Sequence, residues 1–238
     1  MGLKKHIPNT ITSMNALAGT IGVVFALQGH PDYAFLCMLA ASVFDFCDGL
    51  AARLLRAWSP MGKELDSLAD MVSFGVLPSV TLIGTMQIKG VTSWTEVIPV
   101  FLAVMSALRL AKFNVDERQD TDFIGVATPT AAIICGSLCY FSLHNSALDA
   151  LVGSEWFLPA VAVVLGLLLV SEIPMFGMKV ARGHRLLDAK RIVFLGAIVL
   201  ITACTAVFSL NWSLAVLGVF VFYILENLVL RVLPGPRP

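Results

Sequence analysis

The stretch on which the fold turns is Phe44–Asp70, "FDFCDGLAARLLRAWSPMGKELDSLAD", which sets four aspartates and two arginines inside an otherwise strongly apolar chain. Asp45 and Asp48 are three residues apart and Asp66 and Asp70 four apart, so on helices each pair shares one face. Ser59 and Pro60 fit a tight turn between the two helices. Closed as an antiparallel hairpin, they bring all four carboxylates together.

Working outward, composition identifies the solvent. Of 238 residues, 58% are hydrophobic and 13% charged, whereas a soluble domain carries about 25% charged residues. Runs such as Phe157 to Val170 and Ile192 to Phe208 approach the roughly 20 residues that cross about 30 Å of hydrocarbon. Punctuation by Pro, Gly and charge predicts eight spans, at 10–29, 32–55, 66–88, 93–113, 127–145, 156–178, 191–208 and 212–231. The expectation is an all-α integral membrane protein forming a single membrane domain over residues 1–238, with 146–238 supplying additional C-terminal helices.

With eight spans, 15 of the 16 Lys and Arg residues fall on one side and Lys89 alone on the other. By the positive-inside rule that side is cytoplasmic. A multi-pass protein of the cell's cytoplasmic membrane is expected, with both termini and the aspartate hairpin at the cytoplasmic face. The apolar run behind Lys4 and Lys5 carries Asn15 and has no A-x-A cleavage site, so it reads as an uncleaved first span. Cys37, Cys47, Cys135, Cys139 and Cys204 lie in apolar segments without a CxxC pair and read as free thiols. The formal net charge of zero leaves no electrostatic footprint for nucleic acid.

Four unpaired carboxylates repel one another in a low-dielectric setting, and each loses hydration, so a cation must accompany them. Hard divalent ions suit clustered carboxylate oxygens, and a pair about 3.5 to 4 Å apart is a recurrent solution for phosphoryl chemistry. Two such ions balance four carboxylates. Gly49 and Ala52 leave the helix surface bare for close approach of a substrate, and Arg53, one turn beyond Gly49, offers a forked donor to a phosphate. Gly62 keeps the entrance to the next helix unobstructed. The competing reading is an interfacial salt-bridge network of the aspartates with Arg53, Arg56 and Lys63. The number of aspartates and the small residues beside them argue against it.

The stretch resembles the signature of the CDP-alcohol phosphotransferases, D-x2-D-G-x2-A-R-x8-G-x3-D-x3-D. All eight fixed positions over 26 residues are met, by Asp45, Asp48, Gly49, Ala52, Arg53, Gly62, Asp66 and Asp70. The resemblance implies a membrane-embedded helical core, two divalent metal ions (Mg2+ or Mn2+, with Ca2+ also compatible with one site) and transfer of a substituted phosphate from a CDP-linked donor to an alcohol, releasing CMP. Carried over by position, it implies Asp45, Asp48, Asp66 and Asp70 as metal ligands, with Asp70 also the catalytic base. It implies contacts to the CDP moiety from Asp48, Gly49, Ala52, Arg53, Ser59 and Gly62, joined by Asn9 and Thr12 of "PNTIT". A homodimer is implied on the same ground.

Two further stretches bear on the acceptor. "RLAKFN" (Arg109–Asn114) and "FIGVATPTAA" (Phe123–Ala132) resemble segments of the bacterial phosphatidylserine synthases, as does the opening "KKHIPNTITSMNALAG". This resemblance covers roughly residues 1–145 and implies CDP-diacylglycerol as donor and L-serine as acceptor. Lys112 stands where Arg is more usual, and Ala127 where Pro is expected. Arg109, Lys112 and Arg118 are the candidates for holding the acceptor's carboxylate or the donor's phosphates. Glycerol 3-phosphate and inositol are rival acceptors in the same fold. An ion-coupled transporter predicts buried acids in two repeated halves, and an intramembrane prenyltransferase predicts a second Asp-rich motif. Neither feature is present in the sequence.

Overall fold

The turns that close the aspartate hairpin are built from proline, glycine and one serine. The computed structural model describes residues 6–116, 123–175 and 189–232. Helix α1 (His6–Leu27) turns through Gly29, at φ +80°, into α2 (Pro31–Leu55), whose opening proline sits where no amide donor is needed. Helix α2 stops where Arg56 takes a left-handed conformation, φ 50°. Ser59 then caps α3 (Pro60–Asp70), its hydroxyl accepting from the Gly62 amide at 3.0 Å.

Helix α3 continues through a π-helical turn (Met71–Val76) into α4 (Leu77–Ile88). Pro78 has no amide for the carbonyl four residues back, so the ladder must adjust there, and Leu77 donates to the Val72 carbonyl. A short 3₁₀ turn, Trp94–Val97, held by reciprocal Ser93 and Glu96 caps, precedes α5 (Val100–Val115). Strand β1 (Phe123–Ile124), α6 (Thr128–His144), α7 (Asp149–Val152), α8 (Phe157–Val170), β2 (Pro174–Met175), α9 (Ala189–Val207) and α10 (Trp212–Val232) follow.

Helix α6 is the centre of the packing, with 13 of its 17 residues buried and α2, α4 and α10 against it. Helix α1 lies along α2 and crosses α3, the π turn and α4, while α5 rests on α8 and the π turn. One apolar core gathers Phe35, Met38, Phe74 and Leu77, and a second gathers Leu82, Leu102, Leu138, Leu158 and Leu165.

Helix α1 shows which solvent these helices face. Beyond Pro8 in its first turn, its buried positions are small or polar, Thr12, Asn15, Gly19, Gly22 and Ala26, while Met14, Leu17, Ile21 and Val24 are exposed. Apolar outside and small or polar inside is the arrangement hydrocarbon favours, because close backbone approach rather than apolar burial holds such helices together.

The eight expected runs all contain helix, but among the described residues four helices are long and apolar enough to cross a membrane: His6–Leu27, Pro31–Leu55, Pro60–Ile88 and Trp212–Arg231. A fifth is reached if Thr128–His144 and Ser146–Val152, bent by 108°, count together. Helix α5 has 16 residues and α8 has 14, about 24 and 21 Å at 1.5 Å per residue, against about 30 Å of hydrocarbon. The third run begins at Pro60 rather than 66, so Asp66 and Asp70 lie inside a helix already under way. The sixth run was expected to continue to 178. Its helix instead ends at Val170, where Ser171 turns extended and Pro174–Met175 pairs antiparallel with Phe123–Ile124.

Candidate active site

Because α1, α2, α3 and α5 converge beside the start of α6, their facing side chains enclose one cavity of about 660 Å³. Asp45 and Asp48 enter it from α2, Asp66 and Asp70 from α3, so the hairpin joins the four carboxylates as the spacing requires. Oxygens of Asp45, Asp48 and Asp66 lie within 4.8 Å of one another. Asp48 is 5% exposed, and its buried Oδ2 has no hydrogen-bond partner.

Among the described residues, four carboxylates line this cavity against two cations, Lys63 and Arg109. Among the described residues none of the four aspartates is ion-paired with Arg53, Arg56 or Lys63; the ion pairs found join Lys89 to Asp149 and Lys112 to Glu172. The salt-bridge alternative therefore fails, and the donor set suits a hard divalent cation: clustered carboxylate oxygens, one of them buried and unpartnered.

Asp70 stands apart from the triad. Its Oδ1 accepts from Asn15 Nδ2 at 3.1 Å, and the residue is 8% exposed. Arg109 is equally buried. Its Nη1 donates to Thr128 Oγ1 at 3.3 Å, its guanidinium lies 5.6 Å from the Phe113 ring centroid, and its Nε has no partner. A buried guanidinium with a spare donor, facing a cavity, is prepared for an anion.

Asn9, Thr12, Gly49, Ala52, Ser59 and Gly62 all line the cavity. A Cβ at Gly49 would meet nothing nearer than Arg53 Nη2 at 3.9 Å, so its bare surface is open space. At Gly62 a Cβ would come within 3.0 Å of both Asn9 Oδ1 and Ser59 Oγ, so that glycine lets α1 approach the cap of α3.

Two expected residues stand elsewhere. Arg53 is exposed and turned back along its own helix, Nε donating to the Gly49 carbonyl at 2.9 Å, so it is at the rim rather than in the lining. Lys112, three positions beyond Arg109 on α5, does not line the cavity; its ammonium is drawn to Glu172, past the end of α8, at 3.6 Å. Arg118 lies outside the described residues.

The sequence reading gave no role in the site to Asn15, Lys63, Asn114 or Thr128. Lys63 Nζ donates to the Asn114 carbonyl at 2.9 Å and Asn114 Nδ2 to Ser67 Oγ at 2.8 Å, tying α3 to α5 at the cavity wall. Ala127, at φ −70° and ψ 141°, keeps a backbone that proline could also adopt.

Fold and cavity together define a helical membrane protein with a carboxylate-rich site suited to divalent cations. The family model described as CDP-alcohol phosphatidyltransferase matches residues 5–168, and the chain belongs to that family. It is 36% identical over 176 residues to the CDP-diacylglycerol–serine O-phosphatidyltransferase of Mycobacterium leprae, a match covering 71% of this chain and 57% of that protein. The enzymes of the same name are 35% identical over 132 residues in Bacillus subtilis (54% of this chain, 72% of that one) and 40% identical over 121 residues in Saccharomyces cerevisiae (48% and 43%). The match thus spans somewhat over half the length of the mycobacterial relative.

Proposed function

We propose that this protein is a CDP-diacylglycerol–serine O-phosphatidyltransferase, moving the phosphatidyl group of CDP-diacylglycerol to the hydroxyl of L-serine and releasing CMP. The observation that carries the reading is one cavity holding an acidic triad, a separately held fourth aspartate and a buried arginine. Asp45, Asp48 and Asp66, with Asp70 at their edge, would hold two divalent ions, Mg2+ or Mn2+. When bound, these neutralise the donor's diphosphate and the charge that grows on departing CMP.

The protein groups divide the remaining work. Gly49 and Ala52 leave room for the cytidine diphosphate against α2, with Asn9, Thr12, Ser59 and Gly62 around it, and Arg53 at the rim reaches the phosphates by releasing Gly49. Asp70 accepts the proton of the serine hydroxyl. The serine oxygen forms its bond to the phosphorus bearing diacylglycerol as the bond from that phosphorus to CMP breaks. Positioned base assistance of this kind contributes about 10²- to 10⁴-fold.

Arg109 favours serine over the rival acceptors. A zwitterionic amino acid presents one carboxylate, which a single buried guanidinium satisfies, whereas glycerol 3-phosphate brings a dianion and inositol no charge. Lys112 is engaged with Glu172, and Lys63 with the Asn114 carbonyl. The basic side of the chain then faces the cytoplasm, all eight apolar runs cross or enter the membrane, and the acyl chains of the donor stay in lipid.

The decisive experiment incubates purified protein in detergent with CDP-diacylglycerol, Mn2+ or Mg2+, and serine, glycerol 3-phosphate or inositol separately, scoring CMP and the lipid formed. Serine-dependent CMP release, lost on chelation and in Asp70→Asn, is expected. Release with another alcohol alone overturns the acceptor, and no CMP with any alcohol overturns the activity.

A further inference from the structure

We infer that Asn15 is the positioning residue of Asp70, setting that carboxylate's orientation for the transfer step; the inference rests on the reading of Asp70 as the base. An amide inside a helix that faces lipid is costly unless its hydrogen bonds are made internally. Asn15 is fully buried, its side-chain carbonyl Oδ1 is left without a partner, and the two bonds it does make converge on one place. Its side-chain amide donates to Asp70 Oδ1 at 3.1 Å, and its backbone carbonyl accepts from Ser73 Oγ at 3.0 Å.

Asp70 and Ser73 flank the point at which α3 widens into the π turn. One residue of α1 therefore grips the third helix just before its irregularity, at Asp70, and within it, at Ser73. The grip requires near contact of the backbones, and Gly19, one turn along α1, permits it: a Cβ there would collide with Ser73 Oγ and lie 2.8 Å from Ser73 Cα. The π turn brings Ser73 round to α1, and the glycine lets it stay there.

The consequence falls on Asp70. With Oδ1 committed to Asn15, the carboxylate is fixed in rotation, and its other oxygen is the one left for the cavity that Asp70 lines. Asn15 itself is not among the cavity's lining residues. It touches no substrate, so its contribution belongs in turnover and not in binding. That separates a positioning role from a substrate contact.

The test uses the full chain with Asn15→Leu, close in size but lacking the amide, and Asn15→Ala, which cannot overfill the site. Expected is a fall in kcat for serine-dependent CMP release of about 10- to 100-fold, the range found when a partner that orients a functional ligand is removed. The KM values for both substrates, and CDP affinity measured by calorimetry with Mn2+, should stay within about 3-fold of the parent, because a kcat-only loss marks an interaction used in the transition state. A kcat within about 2-fold of the parent in a folded variant, or a loss in KM or CDP affinity instead of kcat, overturns the inference. So does failure of both variants to fold, which would assign Asn15 to the fold. Asp70→Asn measured in parallel separates the two readings: if it retains turnover, the base assignment fails; if it is inactive while both Asn15 variants are fully active, only the positioning role fails.

Discussion

Gly125→Ala probes how the wall carrying Arg109's partner is held. Gly125 has φ +76°, and a Cβ there would lie 2.5 Å from the Leu169 carbonyl oxygen and 2.9 Å from that of Ser171. The glycine amide donates to the Ile173 carbonyl at 2.8 Å and the next amide, of Val126, to Leu168 at 3.1 Å, so the loop is pinned beneath the C-terminal end of α8. Three residues on, Thr128 receives Arg109. Left-handed backbone costs a non-glycine residue about 1 to 2 kcal/mol, and overpacking against atoms that cannot rotate away adds about 1 to 3 kcal/mol. The penalty is thus about 2 to 5 kcal/mol, relieved only by displacing the loop. Gly90 supplies the control, since at φ +79° it has nothing within 4 Å and Gly90→Ala carries the first cost alone. At about 2 to 4 °C per kcal/mol for a chain of this size, Gly125→Ala should melt at least about 2 °C below Gly90→Ala in detergent. Its KM for the acceptor should rise while that for CDP-diacylglycerol holds. Equal melting temperatures with an unchanged acceptor KM would refute the reasoning.

The other predictions concern the charges. Asp48→Asn removes a buried carboxylate with an unpartnered oxygen, proposed as a metal ligand, and should abolish CMP release, with Mn2+ unable to restore it at concentrations that restore chelated parent protein; recovery by added Mn2+ would reduce Asp48 to a minor ligand. Arg109→Lys keeps the charge but loses the fork, and its KM for serine should rise about 10-fold or more, the scale of a hydrogen bond to a charged group. An unchanged serine KM would remove Arg109 from the acceptor site. Lys112→Ala breaks an exposed pair worth about 0 to 1 kcal/mol and should leave both KM values within about 2-fold. A larger change in the serine KM would bring Lys112 back into the site.

The aspartate cavity was legible because it depends on local geometry. Separations of three and four place side chains on one helix face, and a serine followed by proline starts the returning helix, so the hairpin follows from periodicity and one cap. The same periodicity groups Lys112 with Arg109, since residues three apart stand about 60° apart around α5. What takes Lys112 out of the lining is Glu172, a partner from beyond the end of α8 that no local pattern announces. Span lengths were less legible, since hydropathy registers apolar residues without registering where the backbone stops being helical. The end of α8 is set by a strand pair reaching back to Phe123–Ile124, a contact between segments some fifty residues apart.

Asn15 was missed for a different reason. In the sequence it is one polar residue within an apolar run, and in a soluble helix it would mark the wet face. In α1 the relation is inverted: Met14, Leu17 and Ile21 are outside, and Asn15 lies with Gly19 and Gly22 on the buried side. Hydrocarbon makes this inversion informative, because a buried amide in such a helix must find its partner within the protein. Among the four aspartates, Asn15 reaches the one outside the 4.8 Å triad. Four chemically identical side chains are thereby divided: three share the work of concentrating negative charge, and the fourth is turned by a neutral donor from another helix. On the proposed reading, that division lets one acidic cluster hold cations and supply a base without asking the same oxygen to do both.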